Sequence, residues 1–443
     1  MFQKILRFKT SGRGPKQNFV FVGILLLVVL LALPVYTTYA SPMPSYVRIG
    51  LVSRFSGRAS VAISNGAILV GHNYFESVDG FIVRPYGGHQ VALYTGGHRL
   101  FIFDPATRIV CARGGFIWLE DGAHFRGAVE FARLGTGVTA VNTLSLEEYL
   151  FSVVPSEMPA SWHPEALKAQ AVAARTYALH MISQGSSHIG FDLCDMVCCQ
   201  VYRGVEWEQE STTYAVLATA GLAMYFGGEL IEAVYSASSG GVTENSENVW
   251  IEARPYLRSV PDLFEYEPVV WTRSFTLPEL SHLLTQNGRG AVGAATGMSI
   301  GAFHPSGRVE SLVIHGTNGQ AVLTKEEIRT FFGPSAQGSL PSRNFNLGVH
   351  HVGVPHQPVF VSVFDGWEFF EVPAQGLYVI TAQGMTIYNT EPIAPQPGHG
   401  LTMHGRGFGH GVGMSQRGAQ GMAIRGYGFR DILAHFYTGI VVE

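Results

Sequence analysis

The sequence predicts an α+β fold: a strand-rich mixed ectodomain carrying an alanine-rich helix, preceded by one N-terminal transmembrane helix. Three observations predict it. Residues 19–36 form an apolar run with no charged side chain, residues 46–143 read as short strands divided by glycine, and residues 164–184 have helical composition.

The apolar run, FVFVGILLLVVLLALPVY, is close to the ~20 residues a helix needs to span a bilayer. Lys4, Arg7, Lys9, Arg13 and Lys16 precede it, and no acidic residue occurs before Glu76. The positive-inside rule then keeps residues 1–18 in the cytoplasm as a basic arm and exports the rest. A cleaved leader is the competing reading, because Thr38-Tyr39-Ala40 loosely matches a cleavage site. The apolar core exceeds the 7–15 residues or so usual for a leader, which favours an anchor. Both readings expect a working part of residues 45–443 outside the cytoplasm, on a cell membrane and facing the wall or an intermembrane space.

From 46 to 143, β-branched and aromatic residues alternate with Gly, Asn and Asp, as in 46–52, 81–83, 90–94, 126–131 and 138–142. That is the strand signature. The first clear helix is expected over 164–184, with Pro164 near its start and Gly185 as terminator. Its face of Leu167, Ala171, Ala174, Ala178 and Ile182 admits a close neighbour, and Lys168 and Arg175 share another face. A second helix is expected over 211–221, then a two-residue hairpin about Gly227-Gly228. Residues 276–333 read as mixed helix and strand, 346–400 as a strand-rich stretch, and 429–437 as a final helix with Ile432, Leu433 and Phe436 buried.

Composition narrows the function. The 29 basic and 33 acidic residues give a net charge of −4, which argues against nucleic acid held by a basic surface. Only 14% of the 443 residues are charged and 47% are apolar, which excludes a disordered chain. Four cysteines are too few for a disulfide-built scaffold.

Chemistry concentrates in four segments. In 145–179, Glu157 lies between Pro155 and Pro159, so an extended or turn conformation is expected there. Val153, Val154, Met158 and Trp162 surround it in sequence, and apolar company favours the protonated acid that glycosidases use. The other reading is a solvated loop glutamate. His188, Cys194, Cys198 and Cys199 offer zinc an imidazole and thiolates, while a disulfide among them or with Cys111 is equally compatible with the spacing. In 404–423, alternating glycines 405 to 413 let backbone approach a ligand, with His410 and Gln416 as polar candidates. Ser238-Ser239-Gly240-Gly241 suits a substrate loop, and no G-x-S-x-G elbow surrounds its serines, which disfavours a serine hydrolase.

The blocks LEEYL…VVPSEMP…EALKAQAVAARTYAL, DLCDMVCCQVYRG, SSGGVTENSENVW with PYLRSVPD, and GRGFGHGVGMSQRGAQGMA stand in this order. With them the sequence resembles the SpoIID/LytB family across most of 145–439. Residues 45–144 match more weakly and 346–400 look like an insertion. The resemblance implies a membrane-anchored lytic transglycosylase that cuts peptidoglycan glycan strands after an amidase has removed their stem peptides, in sporulation. It implies Glu157 as acid and base, zinc on His188, Cys194 and Cys199, and glycan contacts from Lys168, Gln170, Arg175, Tyr177, Ser239, Gly240, Gly241, His410 and Gln416. Implied partners are glycan strands, a cell-wall amidase and other membrane-bound sporulation proteins. A non-catalytic amidase enhancer is the alternative. This chain departs from the pattern at Phe408 and Arg417, where Trp is common, at Cys198, where His is common, and near Ser236, where His is frequent.

Overall fold

The computed structural model describes residues 46–349, 360–364, 369–373, 378–381, 384–387 and 401–443. The basic arm and the apolar run of 19–36 lie outside the described residues, among which no helix is long and apolar enough to cross a membrane. The fold is mixed and rich in strands.

A seven-stranded sheet underlies the site. Its strands are β1 (Val47–Gly50), β2 (Ala67–Val70), β3 (Asn73–Glu76), β4 (Ile109–Cys111), β5 (Ala128–Leu134), β6 (Gly137–Leu144) and β7 (Leu193–Cys194). They run in the order β7-β1-β6-β5-β4-β2-β3, antiparallel except for the parallel β1–β7 pair. Every residue of β6 is buried, so both of its faces are covered and the usual alternation of a half-exposed strand is lost. Its polar residues are therefore bonded internally. Asn142 Nδ2 donates to the carbonyls of Arg126 and Ala128, at 2.8 and 2.9 Å. A second sheet of four strands, Val61–Ile63, Phe81–Tyr86, Gln90–Thr95 and His98–Phe103, completes the strand-rich region.

Two helices follow β6 directly. α1 spans Leu146–Glu157 and α2 spans Pro164–Ser183. α1 begins on a capping box in which Ser145 and Glu148 bond each other's backbone, the S-x-x-E signature that names a helix start. The expectation that Glu157 sits in a turn is thus corrected: it is the last residue of α1. Pro155 gives up one hydrogen bond near the helix end without stopping it. The stop is Met158, which precedes Pro159 and is extended at φ −137°, ψ 135°.

α2 is buried on several faces rather than on the one expected. Ala171, Ala174 and Ala178 pack with the sheet and α1, while Ala166, Leu167, Ala169, Val172 and Ala173 pack with residues of the C-terminal helices. Alanine suits a helix that neighbours approach from all sides. Those neighbours include α3 (Glu210–Ala218), and further along the chain comes α4 (Leu277–Gln286). α5 (Gln416–Ile424) and α6 (Phe429–Phe436) also contact α2. The expected hairpin is present, with Tyr225 opposite Leu230. Residues 270–349 and 401–406 surround a separate core that includes Trp271, Phe275, Leu312 and Phe332. At the start of the expected insertion 346–400, the strand Phe345–Val349 pairs antiparallel with Leu401–Arg406, and the other described strands of the insertion form two hairpins, Phe360–Phe364 with Phe369–Pro373 and Tyr378–Thr381 with Gly384–Ile387.

Candidate active site

α1 delivers Glu157 to a cleft of about 460 Å³, whose wall also includes Tyr177, Cys199, Tyr235, Trp250 and His410. The Glu157 Oε1 accepts a hydrogen bond from the Val201 N–H at 3.2 Å. Burial raises its pKa above the usual glutamate value, with the Val201 bond and the Arg203 charge acting in the opposite sense. Its place at a helix C-terminus works in the same direction as burial, because unpaired carbonyls there disfavour a negative charge. A carboxyl group so placed keeps its proton to higher pH than a solvated one.

The segment that holds Glu157 is itself held. Gln200 accepts from the Tyr149 hydroxyl at 3.2 Å and donates to the Tyr235 hydroxyl at 3.0 Å. The Tyr202 hydroxyl donates to Asn142 Oδ1 at 2.6 Å, and the Arg203 N–H donates to Ser152 Oγ at 3.1 Å. β6, α1 and the strand start at Tyr235 therefore fix the backbone donor that meets the carboxylate. Burial also pushes the Tyr177 and Tyr235 phenols up, so both remain O–H donors. His410 is lowered to about 3 by burial and by the positive charges of Arg329, Arg308 and Arg343, which makes it a neutral imidazole. Its Nδ1 accepts from the Val412 N–H at 3.0 Å, and its ring lies 5.1 Å from that of Trp250.

At the rim, His188, Cys194, Cys198 and Cys199 bring one donor atom each to within 4.8 Å of one another. The His188 Nε2 to Cys199 Sγ separation is 3.2 Å, and that of Cys194 Sγ and Cys198 Sγ is 2.8 Å. All four cysteines are free thiols, and Cys111 lies apart on β4. An imidazole and three thiols converging this closely form a donor set that could hold a metal ion. Cys198, which stands outside the ligand set that the resemblance implies, belongs to the cluster.

The expected contact residues divide. Tyr177 and His410 line the cleft. Arg175 does not reach it: its side chain is fully buried, paired with Glu147 through Nε at 2.8 Å and Nη2 at 2.6 Å, and bonded to the carbonyls of Leu222 and Val216. Lys168 is paired with Glu165 at 2.7 Å. Gln170 and Gln416 are buried and bond each other at 3.3 Å. Ser239 is buried and donates to Asp262 at 2.7 Å. The side chains of Arg175, Lys168, Ser239 and Gln416 are thus bonded to Glu147, Glu165, Asp262 and Gln170 respectively, while the Gln170 Nε2 is buried with no hydrogen-bond partner among the described residues.

The loop of Ser239, Gly240 and Gly241 packs backbone to backbone on the alternating glycines, with Ser238 and Phe408 exchanging N–H···O bonds of 3.2 and 2.9 Å. Those glycines admit other parts of the chain rather than a ligand. At Gly413, φ is +70° and a Cβ would lie 2.1 Å from the Val234 carbonyl oxygen. At Gly411, φ is +78° and a Cβ would meet the Arg308 guanidinium at 2.2 Å. Arg308 spans the junction by donating to the carbonyls of Ser239 and Val242, at 2.6 and 2.7 Å. Phe408 is 51% exposed, while Arg417 donates to the Tyr266 and Glu267 carbonyls.

Sequence reasoning missed Glu232, Tyr235 and Trp250 as cleft residues. Trp250 ends the polar ENSENVW block and was within reach of a motif argument. Glu232 and Tyr235 follow the hairpin about Gly227-Gly228 with no motif to mark them, and only the fold turns them toward Glu157's cleft. Glu232 is paired with Arg254 at 3.4 Å.

Residues 135–226 match the family model described as stage II sporulation protein. The chain is 31% identical over 320 residues to stage II sporulation protein D of Bacillus amyloliquefaciens, covering 69% of this chain and 76% of that one. It is 31% identical over 326 residues to stage II sporulation protein D of Bacillus subtilis (strain 168), covering 70% and 77%. It is 30% identical over 311 residues to the amidase enhancer of the same organism, covering 66% of this chain and 39% of that longer protein.

Proposed function

Because the chain belongs to the stage II sporulation protein D family, we propose that it is a peptidoglycan lytic transglycosylase acting on glycan strands that lack stem peptides, in the cell-wall remodelling of sporulation. The observation that carries this reading is the placement of Glu157: half-buried, raised in pKa, held by one backbone donor, and open to a cleft of about 460 Å³.

Glu157 in its protonated form donates to the glycosidic oxygen as the bond to the muramoyl anomeric carbon breaks. The carboxylate so formed takes the proton of the same sugar's C6 hydroxyl, whose oxygen closes on the anomeric carbon to leave a 1,6-anhydro end. The sugar supplies its own nucleophile, so the second carboxylate of paired-carboxylate hydrolases is not required. Glu232, tied to Arg254, is left as a cleft-wall group. Tyr177 and Tyr235 supply O–H donors, and Trp250 offers a sugar face an apolar surface.

His188, Cys194, Cys198 and Cys199 would hold zinc. A closed site with four protein ligands supplies structural rigidity rather than an open coordination position. The residues it would fix lead directly to Val201, whose N–H positions Glu157. The apolar run of 19–36 would anchor the protein in the cell membrane with the cleft facing the wall, where a cell-wall amidase would prepare the strands.

The test is product mass from denuded strands, wild type against Glu157→Gln. Wild type is expected to release 1,6-anhydro products and the variant none. Products heavier by one water would indicate hydrolysis with Glu232 as partner. No cleavage, with stimulation of an added amidase retained in Glu157→Gln, would replace the catalytic reading with that of an enhancer.

A further inference from the structure

A second cavity, of about 250 Å³, has Arg54, Phe125, Asp195, Tyr202, Arg203 and Trp207 among its lining residues, and Tyr202 and Arg203 directly follow Val201 of the Glu157 cleft in the chain. It is cationic on balance. The Asp195 carboxylate is engaged inward by the backbone N–H and hydroxyl of Ser53. Arg54 and Arg203 are exposed, and among the described residues neither has a carboxylate at ion-pair distance. Most other arginines of this strand-rich region are paired, including Arg48, Arg58, Arg108, Arg113 and Arg126.

Arg203 is also ordered. Its guanidinium carbon lies 4.0 Å from the ring centroid of Trp207, and its own N–H is bonded to Ser152. Trp207 remains 43% exposed, so a ligand can reach the edge of the stacked pair. A stacked guanidinium still presents its in-plane N–H groups, the geometry that takes a carboxylate with two bonds. Arg203 lies two residues beyond Val201, so at most about 7 Å of backbone separates it from the group that bonds Glu157, and its charge is felt at that carboxyl. Arg203 is thus an oriented cation, without a carboxylate partner among the described residues, within electrostatic reach of the Glu157 carboxyl.

We propose that Arg203, stacked on Trp207 and supported by Arg54, is a carboxylate-reading subsite that selects muramoyl residues whose lactyl group ends in a free carboxylate. The inference rests on the glycan-cleaving assignment of the Glu157 cleft. It supplies a physical reason for a preference for strands without stem peptides: an attached peptide turns the lactyl carboxylate into a neutral amide, which forms only the weaker, uncharged hydrogen bond with a guanidinium.

The experiment measures binding to the full-length Glu157→Gln protein, which does not turn over. Its probes are denuded strands, the same strands with the lactyl carboxylates converted to methylamides, strands with intact stem peptides, and an N-acetylglucosamine oligomer. Denuded strands are expected to bind about tenfold more tightly than the methylamide strands, the difference between a charge-assisted and a neutral hydrogen bond. Adding Arg203→Gln is expected to abolish that preference and leave the oligomer's affinity unchanged, and Arg203→Lys to retain part of it. Equal affinity for denuded and methylamide strands overturns the proposal, as does a preference that survives Arg203→Gln. Arg203-dependent binding of intact-stem strands as tight as that of denuded ones assigns the subsite to a stem-peptide carboxylate and overturns it too. Absence of anhydro products from wild type would overturn the activity while leaving an Arg203-dependent binding preference standing.

Discussion

Replacing Glu147 by Ala separates a structural from a glycan-binding role for Arg175. The Arg175 side chain has no exposure, and Glu147 takes two of its N–H groups at 2.8 and 2.6 Å while remaining 28% exposed. Glu147→Ala strands a buried guanidinium that retains only the Leu222 and Val216 carbonyls, at 3.1 and 3.2 Å. Two charge-assisted hydrogen bonds at roughly 1.5–3 kcal/mol each set the scale. Water can enter where the exposed part of Glu147 stood, which places the loss near the low end of that range, about 3 kcal/mol, as for other broken buried pairs. Arg175→Met is expected to destabilise by less, because it removes the buried charge and leaves Glu147 free to turn to solvent. The double variant should then be more stable than Glu147→Ala alone. The assay is urea unfolding of the three variants at fixed metal content, read as a shift of midpoint at constant slope. If Glu147→Ala shifts stability by less than about 0.5 kcal/mol, the range of ordinary surface changes, and Arg175→Met instead raises KM for glycan, the structural assignment of Arg175 is refuted.

Gly421→Ala should destabilise by about 3 kcal/mol or more, or prevent accumulation of folded protein, because its Cβ would lie 1.5 Å from the Phe264 carbonyl oxygen and α5 would have to move. Gly290→Ala, with its nearest contact at 3.6 Å, is the control expected to stay within about 0.5 kcal/mol; both are read by thermal unfolding. Asp262 is raised to about 6 by burial and by the Glu265 charge. The folded state therefore holds a proton that the unfolded state has lost, and stability falls as pH rises from about 4 to about 6, by on the order of 3 kcal/mol. Asp262→Asn should flatten that part of the stability profile, and an unchanged slope would count against the buried carboxyl. For Glu157, also raised, the protonated form needed to donate persists above the ordinary glutamate range, so the descending limb of kcat/KM with pH is expected there. A limb centred at or below that range would argue against Glu157 as the acid. Metal analysis of the purified chain should give one zinc per molecule, lost in Cys194→Ser and reduced less in Cys198→Ser, since Cys194 is buried and Cys198 exposed. Chelation should expose the 188–201 loop to protease, and full zinc retention in Cys194→Ser would exclude the cluster as the site.

Much of the chain's local structure was legible. The helices at Pro164–Ser183, Glu210–Ala218 and Phe429–Phe436 and the hairpin about Gly227 stand within a few residues of where propensity and turn chemistry placed them. α1 was not expected although Ser145 and Glu148 spell its capping box, because Pro155 and Pro159 signal a break at its other end, where this helix accommodates Pro155 in its last turn. Glu157 and the cysteine loop were picked out by residue type and spacing, and the structure brings them to one cleft. The division of the polar residues between wall and interior was not legible. Arg175, Gln170 and Ser239 have the residue types of a binding site, yet their partners Glu147, Gln416 and Asp262 come from other elements.

The sequence by itself determined where helices and strands begin, that one glutamate stands at a proline-flanked step before an alanine-rich helix, and that four metal-ligating side chains lie within a dozen residues. Only the tertiary structure decided that the four donor atoms converge to within 4.8 Å, that Glu232, Tyr235 and Trp250 wall the cleft, that the glycines of 405–413 admit protein rather than ligand, and that Arg203 is left without a carboxylate. Caps, turns and propensities act over a few neighbouring residues and can be read in order along the chain. Burial and charge pairing depend on which distant segments meet, as Asn142 meets Tyr202 and His163 meets Gln420, and those meetings exist only once the chain has folded.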